Sequence, residues 1–226
     1  MGTITTQAIL VQCGQQLQDI GADRWTEDML LGFLSEAQRA VVLLKPSAYV
    51  VNASVKLVAG TRQSLPAAAV QLLDVVRNMG ANSATPGRAV RRIEREILDT
   101  QVPGWHKARA AAEIKHFASD VTNLKNFYVY PPANGTTYIE AVYSTTPPNA
   151  TSGGVIALDD IYQPALVNYT MYRAMQIEAD YAADPARAGA YLSAFTGAVT
   201  GKTAVELARN PNRDTEANPN SRAPRS

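Results

Sequence analysis

Apolar positions along the chain change their period twice. At the start they fall three or four residues apart, the spacing of one helix face. Ile9, Cys13, Leu17 and Ile20 form a first stripe, with Thr5 or Thr6 as its cap, an end near Asp19 and Gly21 as the stop. Leu30, Leu34, Ala37, Val41 and Leu44 form a second, opened by Thr26 with Glu27 and Asp28 and closed by Pro46. From Tyr49 the period drops to two. Val51, Ala53, Val55 and Leu57 alternate with Asn52, Ser54 and Lys56, which predicts a strand with one buried face. Gly60 to Arg62 reads as a hairpin turn into a strand at 63–65. Val70 to Met79, Glu113 to Ala118, Phe127 to Tyr130 and Thr137 to Thr145 read as further strands, with a helix the alternative over Val70 to Met79. Arg88 to Ile93 reads as a strand leading into a short helix over 94–100. Pro131, Pro132, Asn134 and Gly135 supply the turn between the last two strands, and Gly80 to Gly87 is a loop.

The helical period returns after the Pro- and Gly-rich stretch 146–154. Asp159 or Asp160 is expected to cap a helix to about Ala183, with Ile161, Ala165, Tyr169, Tyr172 and Ala179 on one face. Asp184 and Pro185 open a last helix striped by Ala188, Tyr191, Leu192, Phe195 and Val199. A helix with one apolar stripe cannot bury it alone. The pattern therefore predicts an α+β fold, in which residues 1–46 and 155–208 form a four-helix bundle. Residues 47–154 form a β-rich insertion lobe, and 209–226 an extended C-terminal tail. The tail is polar and holds no large apolar residue, so it is expected to stay disordered until a partner orders it.

Composition narrows the classes. Charged residues make up 18% of the 226 and the formal net charge is +1, so the chain as a whole lacks the basic excess of a general nucleic-acid binder. A single cysteine excludes an intrachain disulfide. No run approaches the ~20 apolar residues of a membrane helix, and the first residues lack a signal-peptide pattern. Synthesis in a cytoplasm, with no membrane contact, is expected. The glycosylation-like triplets at Asn52, Asn134, Asn149 and Asn168 carry no weight without secretion.

Catalytic chemistry finds little footing. Gly197-Ala-Val-Thr-Gly201-Lys202-Thr203 approximates a phosphate-binding loop but has three residues between its glycines where four are needed. Helix termination at Gly197 or Gly201, with Lys202 at the C-terminal dipole, is the plainer reading. His106 and His116 show no metal spacing with Cys13, and His106 beside Trp105 is expected to pack in a loop. Asp159 and Asp160 are explained by capping. Arg88, Arg91, Arg92 and Arg95 lie beside Glu94 and Glu96, which favours a salt-bridge network over a DNA contact. Tyr162, Tyr169, Tyr172, Tyr181 and Tyr191 suit either a bundle core or a half-wet subunit interface.

Several strings resemble podovirus-type phage head-to-tail adaptors of the tail tubular A kind. They are the run from Leu34 to Pro46, Leu57-Val-Ala-Gly-Thr-Arg-Gln63, and Gln71 to Gly80. Arg95 to Asp99 with Pro103-Gly-Trp105, Phe127 to Pro132, and Leu158 to Tyr162 through Tyr172-Arg-Ala174 complete the set. The resemblance spans about Trp25 to Phe195. It implies a structural virion protein of the tail or neck, in a ring that in this family usually has twelve copies. The ring would join the portal protein above to a tail nozzle or tail tube below, with DNA passing through its lumen without sequence-specific binding. No catalytic residue, cofactor or metal comes with it. Two surfaces follow as expectations: a portal-docking tail bearing Arg209, Arg213, Arg222 and Arg225, and a tail-side loop with Gly80, Asn82, Thr85 and Gly87. Another neck part, a stopper or tail terminator, is the alternative, and a P-loop-like nucleotide-binding enzyme the remote one.

Overall fold

The structure, a computed structural model, describes residues 2–120, 122–177 and 185–209. It divides into two compact units, one of residues 1–45 with 147–226, the other of residues 46–146.

In the first unit, helix α1 (Thr6–Leu17) is capped by Thr5, whose hydroxyl accepts from the Ala8 amide. The helix stops at Leu17, six residues before the first of Asp19's partners. Gln18 takes the left-handed conformation (φ 56°), and the Asp19 carboxylate accepts the amides of Asp23, Arg24 and Trp25. That cap turns the chain away from helix, so Gly21 is not the stop and Ile20 is left 86% exposed. Helix α2 (Glu27–Leu44) begins at Thr26 as expected and ends on Lys45, just before Pro46.

The low-complexity stretch 147–154 is a strap, not a linker. Thr6 donates to the Thr151 carbonyl (2.8 Å), Ala150 N–H to Ser35 Oγ (2.9 Å), Ser152 to Glu27 (2.5 Å) and Arg39 to Asn149 (2.7 Å). The chain there lies across α1 and α2, with the helical unit, where the sequence pattern placed the edge of the insertion.

Asp159 caps a 3-10 turn (Asp160–Tyr162) that runs into α4 (Gln163–Gln176). The tighter turn rotates the apolar face. Tyr162, Leu166, Met171, Ala174 and Met175 are buried with Ala165, whereas Ile161 is exposed; Ala179 lies outside the described residues. Helix α5 (Pro185–Arg209) packs on α4 through Phe195, whose ring meets Tyr169 edge-on with centroids 5.0 Å apart. It passes through Gly197 and Gly201 without ending. Two glycines cost about 1 kcal/mol each in a helix interior. Burial of Phe195 and Val199 and the Lys202–Glu206 ion pair offset that.

The second unit holds two sheets, one ordered β1-β7-β3 and the other β2-β6-β5-β4. Strand β1 (Val50–Lys56) pairs antiparallel with β7 (Tyr138–Thr145), and β2 (Gly60–Ser64) with β6 (Asn126–Ala133). Neither expected hairpin forms. Gly60 to Arg62 is strand, and β6 runs on through Pro131 and Pro132 to Ala133. The two long segments 50–64 and 126–145 instead pair with each other, joined at the corner by Leu57 N–H to Thr137 O (3.0 Å). One ribbon thus serves both sheets, bending where it changes from one to the other. Strand β3 (Ala69–Asn78) joins β7. The expected strand at 88–93 shrinks to β4 (Arg91–Arg92), parallel to β5 (His116–Ser119). Phe117, Phe127, Val129, Ile139, Leu72, Val75 and Ile114 fill the core. Helix α3 (Arg95–Gln101) and the turn after it bring fully buried Trp105 against the edge of Tyr128, centroids 6.0 Å apart.

Candidate interaction surfaces

The loop after β3 is built, not slack. Gly80 holds φ +65°, Met79 N–H donates to Tyr138 O (2.8 Å) and Tyr138 N–H to Gly80 O (2.9 Å). Asn82 Oδ1 accepts the amides of Ala84 and Thr85, and its Nδ2 donates to Thr85 Oγ1 (2.8 Å). Gly87 returns the chain: its N–H donates to Asn78 O at 2.7 Å, and a Cβ there would sit 3.2 Å from that oxygen. All four loop residues singled out from sequence therefore meet in one turn, with Asn82, Thr85 and Gly87 exposed.

The tail is different. Arg209 is the last residue of α5, while Arg213, Arg222 and Arg225 lie outside the described residues.

The arginine cluster divides. Arg95 binds Asp99 (3.2 Å), which also accepts from Trp105 Nε1 (2.9 Å); these hydrogen bonds, Trp105's first, hold the Asp99 carboxyl below its ordinary range. Arg88 reaches Glu113 only at 3.9 Å. Arg91 and Arg92 are exposed on β4, with no carboxylate within 4.0 Å among the described residues, so the expected salt-bridge network covers only half of the cluster. His106 stacks on Trp105 (3.7 Å) and meets Thr61 Oγ1 through Nδ1 (2.8 Å), packing as expected but in a single 3-10 turn, Trp105–Lys107, and with its residue still exposed.

The remaining candidates are structural. Asp160 does not cap a helix; its carboxylate accepts Thr3 Oγ1 and the amides of Thr3 and Ile4, pinning the residues that lead into α1, and those bonds lower its pKa. Cys13 is buried, which pushes its thiol up to about 12 and leaves it protonated. Gly197 to Thr203 lies inside α5, where each backbone N–H is committed to a carbonyl four residues back. It is neither a phosphate cradle nor a helix end.

Sequence reasoning missed two constellations. Lys45, 6% exposed, ion-pairs with Glu206, and both Lys45 and Lys202 lie over the Tyr162 ring. Asn78, 4% exposed, holds three strand segments together. The Lys-Pro pair before β1 and a lone Asn at a strand end were the only signals, and neither names its partner.

The described residues make a helical unit and an insertion of two sheets sharing one ribbon, with an ordered exposed loop and exposed cations on the insertion. The model of the SU10 adaptor protein family matches residues 4–222, and the chain belongs to that family. It is a phage head-tail adaptor, a structural component of the virion neck. The match runs past Phe195, where the motif resemblance stopped, and takes in most of the tail. No curated protein matches the chain.

Proposed function

We propose that the chain assembles into a closed ring, of twelve copies, seated on the portal protein and carrying the tail nozzle or tail tube on its other side, with DNA passing through the lumen. The observation that carries this reading is the family match over nearly the whole chain. The resemblance to podovirus-type, tail tubular A-like adaptors supports it. Closed rings use heterologous contacts, one patch meeting a different patch on the neighbour. In this reading the four terminal helices act as one bundle that forms the ring body. The tail from Arg209 docks on the portal, and the loop bearing Gly80, Asn82, Thr85 and Gly87 faces the tail. A stopper or tail terminator fits less well, because the helical unit is too large a share of the chain.

Labelled protein should bind portal-bearing, tailless heads and be absent from capsids lacking a portal. Binding to both alike, or to neither, would sink the reading. The loop offers a second test. Its ends are bonded into the sheets, so only residues 81–86 can be shortened; loop length itself costs little. A Gly-Ser replacement of that stretch should leave the melting temperature nearly unchanged and reduce nozzle attachment to adaptor-bearing heads. Normal attachment would remove the loop from the tail side.

A further inference from the structure

The whole-chain charge of +1 hides a segregation. Residues 46–146 carry eleven Lys and Arg against seven Asp and Glu, a net of +4, while the rest carries ten against thirteen, a net of −3. Three of those cations, Arg88, Arg91 and Lys115, lie close enough to His116 in the second sheet to act on its ring. Arg91 lies opposite His116 across the β4–β5 pair and His116 opposite Tyr130 across β5–β6, so the three form one cross-strand row. The two rings stack with centroids 6.4 Å apart. Arg88 and Lys115 flank the row. Burial first, then the fields of Arg91, Arg88 and Lys115, push the His116 imidazole toward its neutral form, and its Nδ1 is buried with no hydrogen-bond partner.

Little opposes these cations. Glu113 stands 3.9 Å from Arg88, with both side chains more than half exposed, and no carboxylate lies within 4.0 Å of Arg91 or Lys115 among the described residues. A protein surface offers carboxylates scattered among cations. Duplex DNA offers one charge per ~1.7 Å of axis, flanked by no positive groups of its own. Two cations without a carboxylate partner, beside the loosely paired Arg88, crowd round one imidazole and suit the denser polyanion. Arg91, His116 and Tyr130 lie on paired strands, and a pleated sheet surface suits contact with the backbone more than with base edges.

We propose that Arg88, Arg91 and Lys115, set around His116 and Tyr130, form a binding face for the phosphate backbone of duplex DNA. One chain makes the contact, so the proposal goes beyond the ring and stands or fails whether or not rings assemble. The two histidines make the test internal. Full-length protein is titrated with a short mixed-sequence duplex at low and physiological salt, and the imidazole signals are followed by NMR. His116 is expected to shift, and its titration midpoint to rise as phosphates offset the cations, while His106 stays still. The logarithm of affinity should fall with the logarithm of salt with a slope of about −2 to −3, close to 0.9 per phosphate contact. Arg88→Ala/Arg91→Ala/Lys115→Ala should weaken binding tenfold or more, and Lys56→Ala/Lys125→Ala, on the same unit elsewhere, should not. An unmoved His116 at low salt would overturn the proposal, as would equal loss in the control pair. Displacement by polyglutamate as effective as by DNA would also overturn it, giving the face to an acidic protein instead.

Discussion

Replacing Asn78 with leucine should cost the insertion unit about 3 to 5 kcal/mol, the largest stability effect expected of any single polar residue here. Asn78 ends β3 with its side chain turned inward. Its Nδ2 donates to Arg88 O (2.9 Å) and Ile114 O (2.8 Å), and its Oδ1 accepts the Ile114 amide (2.8 Å). Its backbone meets the same region, with its N–H on Arg88 O and its carbonyl receiving Gly87 N–H. One amide therefore ties β3 to the segments before β4 and β5, which have only a two-residue ladder between them. Leucine is close in size but donates and accepts nothing. It would leave the Ile114 amide and carbonyl buried without their partners, at about 1–3 kcal/mol apiece. Trp105 is the only tryptophan of that unit and Trp25 of the other, so a Trp25→Phe background isolates the signal. Urea unfolding followed by Trp105 fluorescence should show the fall. A loss below 1 kcal/mol would mean that the segments hold together without Asn78.

The same residue marks the limit of what periodicity reveals. Alternation over 51–57 shows a strand because it reports a face, and that strand is found, as are those read at 70–79 from its valine- and leucine-rich run and at 137–145. It does not report a partner. Gly60 looks like a hairpin turn because glycine with flanking alternation often is one, yet segment 50–64 pairs with a segment some seventy residues on. The long ribbon satisfies β1 and β2 with a single partner and lets Leu57 enter the core at the bend. Helix starts at Thr5 and Thr26 were legible because a hydroxyl cap acts over three residues. Helix ends were less so: Asp19 overrides Gly21 with three amide bonds, and α5 continues through two glycines because tertiary burial outweighs propensity. Of the interaction surfaces, the Gly80 to Gly87 loop was visible as a cluster of turn formers. The row of exposed Arg91 with half-buried His116 and Tyr130 was not, since it needs a parallel pairing between residues 25 apart in sequence.

The far end of α5 separates fold from docking. Glu206 carries Lys45, whose side chain is almost wholly buried, and also reaches Lys202 at 3.6 Å. Burial pulls the Lys45 pKa down, but the hydrogen bonds and charges of Glu206 and Tyr162 outweigh it and raise the value; the same bond from Lys45 lowers that of Glu206. Glu206→Ala should therefore leave an unpaired ammonium under Tyr162. Half of Glu206 faces water, so the loss is about 1–2 kcal/mol and not the larger cost of a fully enclosed pair. Lys45→Met in the same chain should restore most of it. The pH dependence has a fixed sign. Glu206's contribution is complete above its ordinary 4.5 and disappears as pH falls through its lower folded value, and that of Lys45 disappears only as pH rises through its raised one. Wild type and Glu206→Gln should converge in stability only once pH falls below the lowered folded value of Glu206, and differ most near neutrality. Truncation then assigns the tail. A chain ending at Arg209 keeps Glu206 and should melt close to wild type, yet bind portal-bearing heads more weakly, with the lost part sensitive to salt because Arg213, Arg222 and Arg225 go with it. A chain ending at Thr203 should lose stability as well. If the chain ending at Arg209 melts as low as the one ending at Thr203, residues 210–226 belong to the fold, and if it binds heads as well as wild type, they are not the latch.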